Sequence, residues 1–232
     1  MEHTLFFVED DLSFGSVMKS YLELNDFSVV WTDDGKYAVD RFKAGTFDLV
    51  ILDVMLPHVD GFSIGKAIRV LEPRIPMIYL TAKNLKEDVL TGYGIGADDY
   101  ITKPFDSEVL LCKIRALLNR SKGHEDNNPT EDYLLGTYWF RYRMRTLERE
   151  GKKQSLSPRE ADLLRMLYRN KNQLLSREQA LRTLWGDDDY FMARSMDVFI
   201  TRLRKYLKDD PSLEIRNIHG SGFILFTEAE GQ

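Results

Sequence analysis

The sequence predicts two domains in tandem: a doubly wound, parallel five-stranded α/β sheet, followed by a smaller α+β unit in which three helices are closed by a terminal strand hairpin. Three observations lead there. Short runs of branched and aromatic residues alternate with amphipathic stretches up to Arg120, as parallel strands buried on both faces require. Between Arg120 and Tyr133 the chain reads SKGHEDNNPTED, almost free of apolar side chains, as a flexible connector does. Beyond it the pattern changes to strand-like pieces, then helical spacing, then two more strand-like pieces.

Taken in order, residues 1–120 offer strands at Thr4–Val8, Ser28–Thr32, Leu49–Leu52, Met77–Leu80 and Tyr100–Thr102, with helices beginning near Ser13, Gly35, Gly61, Lys86 and Ser107. Residues 121–131 form the linker. In residues 132–232, strand-like pieces over Tyr133–Leu156 precede helical segments at Ser157–Asn170, Ser176–Trp185 and Ser195–Lys208. Glu214–Ile218 and Gly222–Phe226, joined through His219, Gly220 and Ser221, complete a winged helix-turn-helix pattern.

Composition excludes several classes. No apolar run is long enough to span a bilayer and MEHTLFFVEDD lacks the pattern of a signal peptide, so a cytoplasmic location is expected. One cysteine, Cys112, and four scattered histidines argue against a disulfide framework or a zinc site. GYGIG at Gly92–Gly96 does not follow a strand, and no Gly-Lys-Ser/Thr occurs, which disfavours a nucleotide fold. The net charge of −5 hides an asymmetry: residues 1–122 carry 14 basic and 19 acidic side chains, whereas residues 141–208 carry 17 basic and 9 acidic. The second half is thus a basic body open to nucleic acid.

Parallel sheets place their sites at the carboxyl ends of strands. Glu9, Asp10 and Asp11 follow the first strand, and Asp53 follows the third. Such carboxylates repel unless a hard cation with oxygen ligands joins them, and Mg²⁺ suits carboxylates that share it with phosphate oxygens. Thr81 and Lys103, at the next strand ends, add a hydroxyl and a cation, so an Asp53 oxygen could attack phosphorus while the others hold the phosphoryl oxygens. Taken singly, each acid could equally be a solvated loop residue. A metal-dependent aspartyl-phosphate hydrolase would need a second aspartate two residues after the nucleophile, where Met55 stands.

VEDD, ILDVMLPHVDG, LTAK and GADDYITKPF resemble the receiver domain of two-component response regulators, with its flavodoxin-like fold. That resemblance implies an acidic pair at Glu9 and Asp10, a phosphoacceptor at Asp53 served by a sensor histidine kinase, and Met55 completing the Mg²⁺ shell through its backbone carbonyl. It also implies a switch pair, Thr81 and Tyr100, and a phosphate-binding Lys103 before a cis Pro104. Lys83 and Met55 flank the path of attacking water without acting as bases, so a persistent aspartyl phosphate and no enzymatic turnover are expected.

In Ser195–Lys208, the residues Met196, Ile200, Leu203 and Leu207 fall within roughly 60° on a helical wheel and should face the core. Arg194, Val198, Thr201, Arg202 and Lys205 share the opposite face, as a helix in a major groove requires, although a solvated surface has the same look. SPREADLLRMLYRNKNQLLSREQALRTLWG, RSMDVFITRLRKYL and HGSGF resemble the effector domain of OmpR/PhoB-type regulators. The resemblance makes Arg202 the base-contacting arginine, puts Arg204 and Lys205 on the DNA backbone, and sets Gly220 at the wing tip. His219 stands where an arginine usually enters the minor groove, so weaker readout there is expected. Asp187, Asp188 and Asp189 stand where the family meets RNA polymerase.

Receivers of this subfamily form a homodimer through the fourth helix, fifth strand and fifth helix, which implies a face containing Val89, Tyr93, Asp99, Val109, Leu111 and Lys113. A basic residue commonly stands at the position of Val89 and an acid at that of Val109, so a more apolar face is expected, with Asp99 and Lys113 as the cross-dimer ion pair. Cys112 is expected to be buried. A regulator of this architecture acting without phosphorylation is the alternative.

Overall fold

The computed structural model describes residues 3–82, 97–121, 131–185 and 190–227, and the chain divides into two compact units, Met1–His124 and Glu125–Gln232. The first unit is built on β1 (His3–Val8), β2 (Phe27–Thr32), β3 (Leu49–Asp53), β4 (Met77–Ala82) and β5 (Asp99–Lys103), with α1 (Leu12–Glu23), α2 (Gly35–Lys43), α3 (Gly61–Leu71) and α4 (Ser107–Ser121). All neighbours run parallel in the order β2-β1-β3-β4-β5. The strands are apolar on both faces because both are covered. Leu5, Phe7, Ile51, Ile78 and Leu80 pack with Met18 and Leu22 of α1 and Ile114 and Leu117 of α4. On the other face Phe6 meets Phe42 of α2, and Tyr79 meets Phe62 of α3.

Helix starts are written in the side chains. Asp11, Asp34 and Asp60 each accept backbone N–H groups of the following turn, which satisfies donors the helix leaves unpaired. In α3, Gly65 admits the Tyr79 ring, since a Cβ there would lie 1.8 Å from the Tyr79 hydroxyl. The helix expected near Lys86 and the GYGIG segment lie outside the described residues.

The second unit opens with an antiparallel sheet of β6 (Asp132–Leu135), β7 (Tyr138–Arg141), β8 (Thr146–Arg149) and β9 (Lys152–Ser155). Then come α5 (Pro158–Arg169), β10 (Leu175–Ser176), α6 (Arg177–Trp185), α7 (Tyr190–Leu207), β11 (Leu213–Ile218) and β12 (Gly222–Thr227). A second sheet, β10-β12-β11, closes the fold as a winged helix.

Three expectations need correction. Helix α7 starts at Tyr190, five residues ahead of the predicted Ser195, since residues 190–194 hold neither glycine nor proline to stop it. Strand β10 has two residues, too short to leave a periodic signal. Cys112 is exposed: Leu110, Leu111, Ile114, Leu117 and Leu118 define the buried face of α4, and Cys112 projects away from it. No helix among the described residues is long and apolar enough to cross a membrane.

Candidate functional site

Topology assembles the acidic site. Strands β1 and β3 are adjacent, and the register Val8↔Leu52 brings Glu9 and Asp10 level with Asp53 at one sheet edge. One carboxylate oxygen from each of these three residues lies within 4.8 Å of the others. Asp11 is not part of the group; its side chain caps α1 at 2.9 Å from the Ser13 nitrogen. Thr81, buried, is carried to the same edge by β4, where Asp53 pairs with Leu80 and Thr81 with Thr102.

Lys103 stands at the centre. Its ammonium donates to Asp53 Oδ2 at 2.5 Å and to the two Glu9 oxygens at 2.7 and 2.9 Å. It lies 4.5 Å from the centroid of the Phe14 ring, a cation–π contact that no sequence motif had flagged. The Lys103–Pro104 bond is cis, as the resemblance implied. Asp53 Oδ1 accepts the Met55 N–H at 2.8 Å.

The cluster is electrostatically tense. Burial pushes the Glu9 carboxyl up to about 7 and the Asp53 charge adds to it, while Lys103 pulls the other way without prevailing. For Lys103, burial opposes the charged form, yet hydrogen bonds to Asp53 and Glu9 outweigh it and raise its pKa above the ordinary value. The carboxylates are thus under-compensated by one lysine, and an added cation would be stabilised among them.

Behind this edge, Tyr100 is buried and stacks on Tyr79 with ring centroids 5.3 Å apart. Tyr79 was missed in the sequence, where it looks like one more strand residue. Of the expected dimer face, Val109 is exposed, Val89 and Tyr93 lie outside the described residues, and Leu111 needs correction. Leu111 belongs to the core cluster beneath the sheet. Lys113 pairs with Asp99 inside one chain, its ammonium 3.0 Å from Asp99 Oδ1, because one helix turn of α4 lies against β5. The cross-dimer bridge expected of that pair is not needed to satisfy either charge.

In the second unit, Met196, Ile200, Leu203 and Leu207 are buried as expected, joined by Phe199. Thr201, Arg204 and Lys205 are exposed, and Val198 is half-buried. Arg204 donates through Nε to the Ile215 carbonyl at 2.8 Å, which ties α7 to the wing. Arg202 departs from the expected outward pose. Its Nη1 donates to Glu160 Oε1 at 3.1 Å, and Tyr206 donates to the same oxygen at 3.2 Å. Glu160 also closes the capping box of α5, accepting the Ser157 N–H at 2.8 Å. The capping signature Ser157–Glu160 is legible in the sequence; the second task of that glutamate, reaching a helix 42 residues on, is not. His219 and Gly220 sit exposed at the wing tip, where the positive φ of Gly220 (71°) suits the turn to glycine. The side chain of Arg194, and all of Asp187, Asp188 and Asp189, lie outside the described residues.

A doubly wound sheet with an acidic nest at its switch point, followed by a winged helix, defines a receiver joined to a DNA-binding effector. Comparison with known proteins gives the family. Residues 5–115 match the response regulator receiver domain, and residues 151–225 match "Transcriptional regulatory protein, C terminal". The transcriptional regulatory protein RprY of Bacteroides fragilis is 45% identical over 219 residues, 94% of this chain and 92% of RprY. TrcR of Mycobacterium tuberculosis is 34% identical over 218 residues, 94% of this chain and 84% of TrcR. Among solved structures, the response regulator DrrB of Thermotoga maritima, an OmpR/PhoB homologue, matches 98% of this chain and 100% of its own at 31% identity and a TM-score of 0.51. A RitR mutant at 20% identity, covering 97% of this chain and 100% of RitR with a TM-score of 0.73, shares the fold. The chain belongs to the OmpR/PhoB family of two-component response regulators, DNA-binding regulators of transcription.

Proposed function

We propose that a sensor histidine kinase phosphorylates Asp53, that the receiver then pairs with a second copy, and that the winged helix binds promoter DNA while Asp187, Asp188 and Asp189 meet RNA polymerase. The observation that carries this reading is the nest of Glu9, Asp10 and Asp53, with oxygens within 4.8 Å of one another and Lys103 in contact with two of the three. These donors fit a hard divalent cation. Glu9, Asp10, Asp53 and the Met55 carbonyl would hold Mg²⁺, which supplies positive charge facing the phosphoryl oxygens.

The chain's own residues carry the transfer. An Asp53 oxygen forms the new bond to phosphorus as the donor's bond breaks, its electron pair leaving with the donor. Lys103, kept cationic by its neighbours, exchanges its bond to Asp53 for one to a phosphoryl oxygen, and the Thr81 hydroxyl takes another. Thr81 drawn toward Asp53 vacates space at the edge of β4, which the already buried ring of Tyr100 closes on. Of the dimer face, exposed Val109 remains an apolar contributor. Met55, 60% exposed beside Asp53, offers no base to activate water, so the aspartyl phosphate outlasts a half-life of seconds.

Incubation with a small-molecule phosphoryl donor and Mg²⁺, followed by mass mapping, tests the reading. A phosphoryl group on Asp53, absent in Asp53→Ala and absent with chelator, is the expected result. Wild-type protein that gains no phosphoryl mass with Mg²⁺ present refutes it.

A further inference from the structure

Between the β8–β9 hairpin and the end of α7 lies a cleft of about 360 Å³, with Arg149, Lys152 and Lys153 on one wall and Lys205 and Lys208 on the other, five cations against the two acids Glu150 and Asp209. We infer that this cleft grips the phosphate backbone of double-stranded DNA, beyond the contacts of the recognition helix and wing. The inference rests on the DNA-binding reading above and extends it to a part of the fold that carries no recognition element.

Three of the cations are exposed and available. Lys152, Lys205 and Lys208 have no ion pair or side-chain hydrogen bond among the described residues. The others shape the wall: Arg149 lies over the Tyr138 ring at 5.6 Å, donates to the Asp209 carbonyl and pairs with Glu150 at 3.3 Å, and Lys153 pairs with Glu148 at 3.0 Å. A tight turn holds Lys152 in place, with Glu150 and Gly151 both at positive φ (51° and 77°), as two-residue hairpin turns of this hand require.

Cations gather at helix C-termini because carbonyl dipoles attract them, which alone could account for Lys205 and Lys208. Lys152 has no helix end beside it and comes from a hairpin 53 residues before Lys205, yet it faces the same concavity. The occupant follows from what lines the cleft. Tyr138 and Leu147 are buried, and half-buried Tyr206 is held by its hydroxyl on Glu160, so the cleft offers charge rather than an open apolar anchor. A phosphate backbone needs only positive charge along its path. The cleft is also continuous with the outward face of α7, since Lys205 belongs to both.

Salt titration of the full-length chain on a random-sequence duplex of about 30 base pairs gives the test, because each phosphate contact contributes roughly 0.9 to the slope of log K against log salt. Relative to wild type, Lys152→Ala/Lys208→Ala should flatten the slope by roughly 1.8. Lys43→Ala, on the first unit, should leave it unchanged. An unaltered slope in the double variant overturns the inference while leaving DNA binding intact, and so does an equal loss in Lys43→Ala. Loss of polyglutamate binding with the DNA slope preserved assigns the cleft to an acidic protein instead and likewise overturns it. Wild type that shows no salt-dependent DNA binding sinks the underlying reading itself.

Discussion

Each half of the molecule holds a cation against a buried glutamate, and the two glutamates differ in what else surrounds them. In the receiver, Glu9 grips Lys103 while facing the Asp53 carboxylate, and burial with that repulsion pushes it up to about 7. In the effector, Glu160 grips Arg202 at 3.1 Å while its other oxygen closes a helix cap. One glutamate is short of positive charge and the other has its hydrogen bonds filled from three directions. The first environment is built to accept something further; the second is built to hold what it has.

The sharpest way to break this contrast is to remove the effector glutamate. Glu160→Ala leaves Arg202 and Tyr206 without their shared acceptor and opens the capping box, and losing one partner of a buried pair costs about 3–5 kcal/mol. Glu160→Gln keeps the cap, so urea unfolding should show a loss of about 2 kcal/mol, in line with a single charged hydrogen bond. A Gln variant as stable as wild type would mean that Glu160 is no clamp. The same variant loosens one hold on Arg202, so DNA affinity should hold or rise while stability falls.

Asp210 extends the comparison to a third buried carboxylate. Burial disfavours its charge, but Ser212 and Thr137 each donate from both backbone and hydroxyl, and these bonds hold its pKa down to about 2. Because the folded value lies below the unfolded one near 3.8, this contribution is complete above pH 3.8 and is lost as pH falls toward 2. Asp210→Asn should remove about 2 kcal/mol near neutrality and flatten the acid limb of the effector's stability profile. An acid limb unchanged by the substitution would show that another group governs it.

Glu9 should behave with the opposite sign. Its folded pKa, about 7, exceeds the ordinary 4.5, so the folded receiver binds the extra proton between those values and loses stability as pH rises through that window. Without Mg²⁺, Glu9→Gln should therefore raise receiver stability at pH 8, by about 1 kcal/mol once the bond to Lys103 is discounted, and should weaken Mg²⁺ binding tenfold or more. Calorimetry and Mg²⁺ titration monitored at Trp31, which donates to the Glu9 carbonyl at 2.9 Å, read both effects. Stability lost in the Gln variant would place Glu9 with Glu160 as a clamp and erase the distinction.

These opposed environments were unequally legible in the sequence. The acidic nest could be read because Glu9 with Asp10, and Asp53, end two apolar strands, and a parallel sheet brings strand ends together wherever its helices go. The apolar runs and the amphipathic stretches between them placed the described strands and helix starts of the receiver to within a residue or two for the same local reasons, the helix expected near Lys86 lying outside the described residues. The Arg202–Glu160 pair could not be read, since neither residue is apolar and only the packing of α5 on α7 brings them into contact. The Asp99–Lys113 pair shows a related limit: a sequence shows which charges are complementary but not whether they meet within one chain, as these do here, or across two. Cys112 failed more simply. Cysteine is usually buried, but on α4 the leucines and Ile114 fill the buried face and leave Cys112 outside it.

The smallest effect concerns a position with no glutamate at all. His219 sits exposed at the wing tip with no ion pair or side-chain hydrogen bond among the described residues. A cation placed there has nothing inside the fold to hold it, unlike Lys103 or Arg202, so its whole charge is available to a narrow minor groove. His219→Arg should tighten DNA binding by about threefold and steepen the salt slope by up to roughly 0.9, with stability unaltered because both side chains are solvated. The gain should be larger on A/T-rich duplexes, whose minor groove is narrower and more negative. Equal or weaker binding by the arginine variant on both kinds of duplex would mean that the wing tip does not reach the groove, and that freedom from an internal partner is not enough to make a cation a reader.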